Sequence, residues 1–220
     1  TGNSNADFLS KFLQLQDGTN AIRILPGKED ELFYAETKIH RVPDDQGNTK
    51  NVHCRKIHGE PCPLCDAYYK LWKEPYKDED LARQIKPRAR YYMNVVDRES
   101  GDVKILSIGV ILFKKVIAAM LDEDFGDITN MDTGHDFKIV KIMEGQWPKY
   151  DQSQPRPKSS PAGSKAEMAA WMDSLHDVHA LVKLEDYEGV KTAAQALIPS
   201  HEGSSQNPTK AENVSDDDYL

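Results

Sequence analysis

Cysteine is scarce in this chain, and its placement matters more than its amount. Of 220 residues only three are cysteine, and all three fall in the stretch from residue 53 to residue 65. So small and odd a count excludes the disulfide-dense framework of a small secreted domain, and clustered thiols in a reducing compartment point to a metal instead. Long hydrophobic runs are missing too. The stretch from Ile108 to Phe113 falls far short of the roughly 18 apolar residues that span a bilayer, and the residues before Phe8 show neither the charged start nor the apolar stretch of a signal peptide. The expected location is therefore the cytoplasm. Also missing are a G-x-S-x-G elbow, a Walker loop, a G-x-G-x-x-G turn and an isolated carboxylate pair, so the commoner hydrolase, NTPase and dinucleotide chemistries have no residues to carry them.

What is there starts with charge. A net charge of −8 argues at first against a polyanionic partner, but the charge is unevenly spread. From Pro199 to Leu220, Glu202, Glu212, Asp216, Asp217 and Asp218 face only Lys210, whereas Arg83, Lys86, Arg88 and Arg90 form a run with no acid among them. The mean conceals a basic stripe and an acidic tail.

Alternating runs rich in β-formers predict five strands, at residues 21–25, 32–40, 90–96, 102–108 and 136–143. The polar turn Asp97–Asp102 makes the third and fourth a hairpin. Val110–Leu121 keeps its apolar residues on one helical face and crosses from the fourth strand to the fifth. The fold class is mainly β with α, a five-stranded OB-fold barrel carrying an inserted zinc-binding subdomain and C-terminal helices. Residues 1–40 start the core, 41–82 form the insertion, 83–153 complete the core, 154–198 hold a linker and C-terminal helices, and 199–220 form a disordered acidic tail. The insertion is too long for a plain loop and needs its own source of stability. Ser164 and Glu167 make a capping box that opens a helix with the stripe Met168, Trp171, Met172 and Leu175. A last helix, at about 188–197, is expected to pack beside it.

The cysteine stretch reads HCRKIHGEPCPLC. It contains both halves of the H-x-E and P-C-x-x-C pattern of zinc nucleobase deaminases. Yet Glu60 directly abuts Pro61, which leaves no room for the two separate helices those halves occupy, and a catalytic metal must keep one position open for water. One structural zinc ion is the better reading. Cys62 and Cys65 are two residues apart, the spacing at which one tight turn delivers two sulfurs to a tetrahedral ion, and Cys54 supplies a third. For the fourth place His40, His53 and His58 compete. His53 adjoins Cys54 in extended chain and points the opposite way. Between His40 and His58 the residues alone do not choose.

Taken together, AIRILP at residues 21–26, the order His40, Cys54, Cys62, Cys65, the stretches KPRARYYMNVV and GVILFKKVIAAM, and FKIVKIMEGQWPKYD resemble the single-stranded DNA-binding proteins of T-even-type bacteriophages. The resemblance runs from about Leu13 to Tyr150. It implies an OB-fold core, a structural zinc subdomain with His40 as the fourth ligand, a DNA cleft between the two, and work in replication, recombination and repair in an infected bacterial cell. It further implies partner proteins recruited through an acidic C-terminal tail, and self-association along DNA through a basic N-terminal arm that the stretch before Phe8 does not resemble.

A sequence-tolerant single-strand binder needs cations that follow phosphates and aromatic faces on which bases stack. Lys86, Arg88, Arg90, Tyr91 and Tyr92 supply both in seven residues. Alternation puts Arg88, Arg90 and Tyr92 on one face, expected to line the cleft, while Tyr91 shares the other face with Met93 and Val95 and stands between core and cleft. Trp147, Lys149 and Tyr150 repeat the theme after the fifth strand, and the resemblance places aromatic positions of the cleft there. The expected activity is non-enzymatic coating and protection of single-stranded DNA. The alternatives are a zinc-stapled protein- or RNA-interaction module and, further off, a divergent deaminase.

Overall fold

The computed structural model describes residues 3–198, apart from residues 30, 44, 45 and 47. In chain order it contains helix α1 (Asn3–Ser10), strands β1 (Gly18–Ile24), β2 (Tyr34–Pro43) and β3 (Thr49–His53), helices α2 (Pro63–Lys70) and α3 (Glu79–Ile85), and strands β4 (Arg88–Asp97) and β5 (Val103–Ile108). There follow α4 (Val110–Leu121), β6 (Phe137–Glu144), β7 (Trp147–Lys149), β8 (Gln154–Pro155), α5 (Lys165–Asp173) and α6 (Tyr187–Ala196). All five expected strands form, joined by three short ones.

The ladders are antiparallel, and β4 organises them. Tyr91, Tyr92 and Met93 pair with β2 and with β5, so these two strands lie on opposite edges of β4. Further along, Val95 and Val96 pair with both β1 and β5, which puts β1 on the same edge as β2. β1 then carries β6 on its far side, from Gly18↔Lys141 to Ile22↔Phe137. The expected closed barrel is replaced by a curled sheet, half a barrel. Among the described residues no ladder joins β5 to β6. Instead, residues 11–13 occupy the outer edge of β5, where Leu13 N–H donates to Ile105 O (2.9 Å) and Ile105 N–H to Lys11 O (2.8 Å). The N–H and C=O of Ile105 are thereby satisfied and are not available for pairing with β6.

Inside the curl, Ile22, Ile24, Met93, Val95, Leu106, Phe137 and Ile139 meet Leu112, Phe113 and Val116 of α4 in one buried cluster. The outer face of β4 is covered as well. Asn94 exchanges two hydrogen bonds with the His176 backbone, at 2.9 and 3.0 Å, and Val96 packs with Leu25 and Leu175. Burial on both faces explains why β4 is nearly continuously apolar after Arg90.

The chain beyond residue 153 is a strap. Fully buried Arg23 donates to Asn130 O and Ser160 O, and Arg98 donates to Ala162 O; both guanidiniums share Asp136. This fastens the linker to the sheet. The Ser164–Glu167 capping box then opens α5 as expected, with Trp171 and Met172 against the Leu25 cluster. The last helix does not pack beside α5. Residues 175–182 run along the sheet, and α6 reaches the cysteine-bearing lobe, where Val190 and Ala194 share a core with Leu64, Ala67, Tyr68 and Leu71. The helical periodicity of α6 showed an apolar face without showing its partner, and α2 exposes the matching one. No helix of the described residues is long and apolar enough to cross a membrane. The expected acidic tail lies outside the described residues.

Candidate nucleic-acid interface and metal centre

Four side chains converge under the α2–α3 lobe. β2 ends its pairing with β4 at Ile39 and presents His40 inward; Cys54 follows β3; Cys62 and Cys65 bracket the start of α2, whose Pro63 is pre-set for a first helical position. Their ligand atoms all lie within 4.8 Å of one another, and all four residues are buried. Cys54 Sγ stands 3.9 Å from Cys62 Sγ and 3.5 Å from Cys65 Sγ, and His40 Nε2 stands 3.6 Å from each of the latter two sulfurs. A tetrahedral ion with metal–sulfur bonds of about 2.3 Å and a metal–nitrogen bond of about 2.0–2.1 Å needs edges of about 3.8 and 3.6 Å. The cluster therefore has the size and donor set to hold one metal ion. His40 Nδ1 lies 2.7 Å from Ile85 O, which fixes the proton on that nitrogen and aims Nε2 at the sulfurs.

Burial alone would push the His40 imidazole down, yet its hydrogen bonds with Cys54 and Cys62 carry it up to about 9. Hydrogen bonds with Cys54 and Cys65 hold the Cys62 thiol far below its ordinary value, and those with Cys54 and Cys62 push Cys65 far above it. A metal ion bound there would displace the protons of the thiols and of His40 Nε2.

The competing histidines fall elsewhere. His58 is exposed in a short 3-10 turn (Arg55–His58) that Gly59 terminates at φ 76°, a conformation glycine adopts without strain. His53 Nδ1 meets Thr37 Oγ1 at 3.0 Å. Glu60 pairs with Arg55. The deaminase-like H-x-E is thus a turn and an ion pair outside the cluster, while four protein ligands would leave no coordination position for water.

Between this lobe and the sheet runs a groove of about 920 Å³. Its sheet wall carries Lys86, Arg88, Arg90, Tyr91 and Tyr150, with Gly109, Val110 and Ile111 at the start of α4; its lobe wall carries Lys56, Ile57, Tyr68 and Tyr69. With Lys38, five cationic side chains line it against one carboxylate, Glu36, so the local field is positive in a chain whose net charge is negative. Arg90 is the most enclosed of the cations. Burial, then the neighbouring Arg41, and more weakly Arg88, lower its pKa, and an anion beside it would offset that like-charge repulsion.

The sequence-predicted contacts divide. Lys86, Arg88, Arg90, Tyr91 and Tyr150 line the groove. Tyr91 is also core: it is 8% exposed, stacks on Phe113 with ring centroids 3.7 Å apart, and donates to Glu36 at 3.1 Å. Burial, reinforced by Glu36, pushes its hydroxyl up to about 12. Trp147, 68% exposed, and Lys149, paired with Glu144 at 3.3 Å, sit on the β6–β7 hairpin whose Pro148 reaches the groove, but they are not among its lining residues. Tyr92 lies away from it, in a cluster with Phe12, Ala35, Ile105 and Val178. Lys38, Lys56 and Tyr69 were missed. The last two follow cysteines of the cluster by two residues and by one helical turn, which is the signal that could have found them.

Individually curated proteins return no match. A family model described as gp32 DNA binding protein like matches residues 16–198, from β1 through α6, and so takes in the sheet, the metal-site lobe and the strap alike. The chain belongs to this gp32-like family of DNA-binding proteins.

Proposed function

We propose that the chain binds single-stranded DNA without reading its sequence, in the groove between an OB-type sheet core and a lobe held together by one structural zinc ion. The observation that carries this reading is the groove itself. Cations on both walls and aromatic edges within it form the combination that follows a single strand's phosphates and bases. Arg88 and Arg90 would meet phosphates, and the N-terminus of α4 at Gly109 adds its partial positive charge beside Arg90. Tyr150, with Trp147 on the adjoining rim, would offer stacking faces. Zinc suits three thiolates and an imidazole better than calcium or magnesium, which prefer oxygen. Held by His40, Cys54, Cys62 and Cys65, it would supply folding free energy and no reaction. Coating and protection of unwound strands in phage replication, recombination and repair is the role the family resemblance favours, with partner proteins meeting the acidic tail.

Anisotropy titration of labelled single-stranded, duplex and RNA oligonucleotides at several salt concentrations tests the reading. Preferential binding of single-stranded DNA, weakening steeply with salt, is the expected result. Equal affinity for all three, or none, would leave the interaction-module alternative standing.

A further inference from the structure

The lobe wall of the groove is more than a lid over the sheet. Tyr68 is 6% exposed and belongs to the lobe core, but Tyr69 is 42% exposed. The Tyr69 ring is braced edge-to-face by Tyr68, with centroids 5.1 Å apart and planes at 62°. Lys56 Nζ lies 5.9 Å from its centroid, and both side chains line the groove. Across the gap Tyr91 has one face covered by Phe113 at stacking distance. The groove's aromatic capacity is therefore divided between its walls.

Both residues are positioned by the metal cluster. Tyr69 lies one helical turn after Cys65 on α2, so the two project from one helix face. Lys56 lies two residues after Cys54 in the 3-10 turn, and the residue between them is anchored: Arg55 donates to Glu185 O at 2.6 Å, pairs with Glu60, and lies over the Tyr187 ring at 5.6 Å. Arg55 is thereby engaged with the strap, while Lys56 remains on the groove side.

We infer that Tyr69 and Lys56 form a second nucleotide-binding platform on the lobe wall, Tyr69 stacking a base of the single strand and Lys56 meeting the adjoining phosphate, with the metal cluster setting the platform's position. This rests on the groove being the single-strand site. A base on Tyr69 displaces the lysine ammonium from the ring to the phosphate, so the cation–π contact is exchanged for an ion pair. The strand is then gripped from two sides, and metal occupancy and DNA affinity are linked through one turn of helix.

The test uses the full metal-loaded chain and a labelled oligothymidylate across a range of salt. Tyr69→Leu keeps an apolar side chain but removes the ring face; it should weaken binding about tenfold with the salt slope unchanged, and Tyr69→Phe should restore it. Lys56→Gln should lower the slope of log K against log salt by about 0.7. Metal content, measured on each variant, should stay at the wild-type value, which separates direct contact from damage to the cluster. Should Tyr69→Leu lose metal, ultraviolet cross-linking of wild type to a 5-iodouracil oligonucleotide replaces it: adducts at Tyr69 support the platform, and adducts confined to the sheet wall overturn it. If Tyr69→Leu binds like wild type while Arg90→Ala weakens binding, the platform is wrong and the groove reading stands. If wild type binds but neither variant changes it, the groove itself is not the site.

Discussion

The two walls of the groove are built by different physics. The sheet wall rests on ladders and on a core of large aliphatic and aromatic side chains, with Ile24, Met93, Val95, Leu106 and Phe137 essentially sealed from water. The lobe wall has two helices of eight and seven residues, below the length at which a helix persists on its own. Its core includes three cysteines and is finished by α6 from the other end of the described chain. The sheet is joined by ladders of high sequence separation, whereas the lobe carries two ties: the four-residue cluster and the strap.

Removing metal should break this contrast most. Apparent binding free energies for structural zinc in small peptides are about 10–16 kcal/mol, more than a lobe of this size could otherwise supply. Chelation or Cys62→Ser should abolish amide protection over residues 54–85 while β1, β4 and β5 keep theirs, and should weaken DNA binding more than any single groove substitution. Hydrogen exchange with mass spectrometry reads both regions at once. Protection lost equally in lobe and sheet would show one cooperative unit instead of two.

Cutting the second tie should cost less. Val190 is 1% exposed against α2, and Val190→Asp buries an unpaired carboxylate, destabilising by about 3 kcal/mol. Val190 is not itself among the groove's lining residues, so a fall in DNA affinity would mean that the strap holds the lobe wall in place. Chemical denaturation and titration of the same variant decide it. Unchanged stability would leave the metal as the lobe's sole support.

Groove side chains come next. Arg90→Ala should weaken all single-stranded sequences alike by about tenfold and lower the salt slope by about 0.7, since one phosphate contact is lost. Unaltered slopes would place the guanidinium outside the strand's path. For Arg90 the expected effect rests on enclosure beside Arg41 and Arg88, an arrangement that forms only when β2 and β4 pair.

How far the sequence could be read follows the same division. Strand alternation, the polar turn at Asp97–Asp102 and the Ser164–Glu167 box act over a few residues, so β1, β2, β4, β5, β6, α4 and α5 were visible in it. Cysteine spacing marked three members of the cluster for the same reason. The presence of His40 rather than His58 in the cluster depends on the β2–β4 register and on Ile85 O, contacts 45 or more residues apart in the chain. The absent closure depends on residues 11–13 reaching Ile105, and the docking of α6 on an exposed face of α2. Such long-range pairings leave no periodic trace.

Tyr92 carries the smallest expected effect and is the most direct check on reasoning from alternation. It shares a strand face with Arg88 and Arg90, as expected, but lies about 6–7 Å further along β4 than Arg90. There the cover changes from open groove to the N-terminal segment and the strap: Phe12 meets the Tyr92 ring edge-on at 6.4 Å, and Val178 completes the cluster. Burial raises the pKa of its hydroxyl accordingly. A stacking residue would contribute about 1–3 kcal/mol per base; a packing residue contributes instead to stability, where an aromatic pair of this kind adds about 1 kcal/mol. Tyr92→Leu should therefore lower the denaturation midpoint slightly and leave single-stranded DNA affinity within about twofold, the opposite balance from Tyr69→Leu on the facing wall. Loss of affinity at unchanged stability would return Tyr92 to the strand's path and would require the groove to extend beneath the strap.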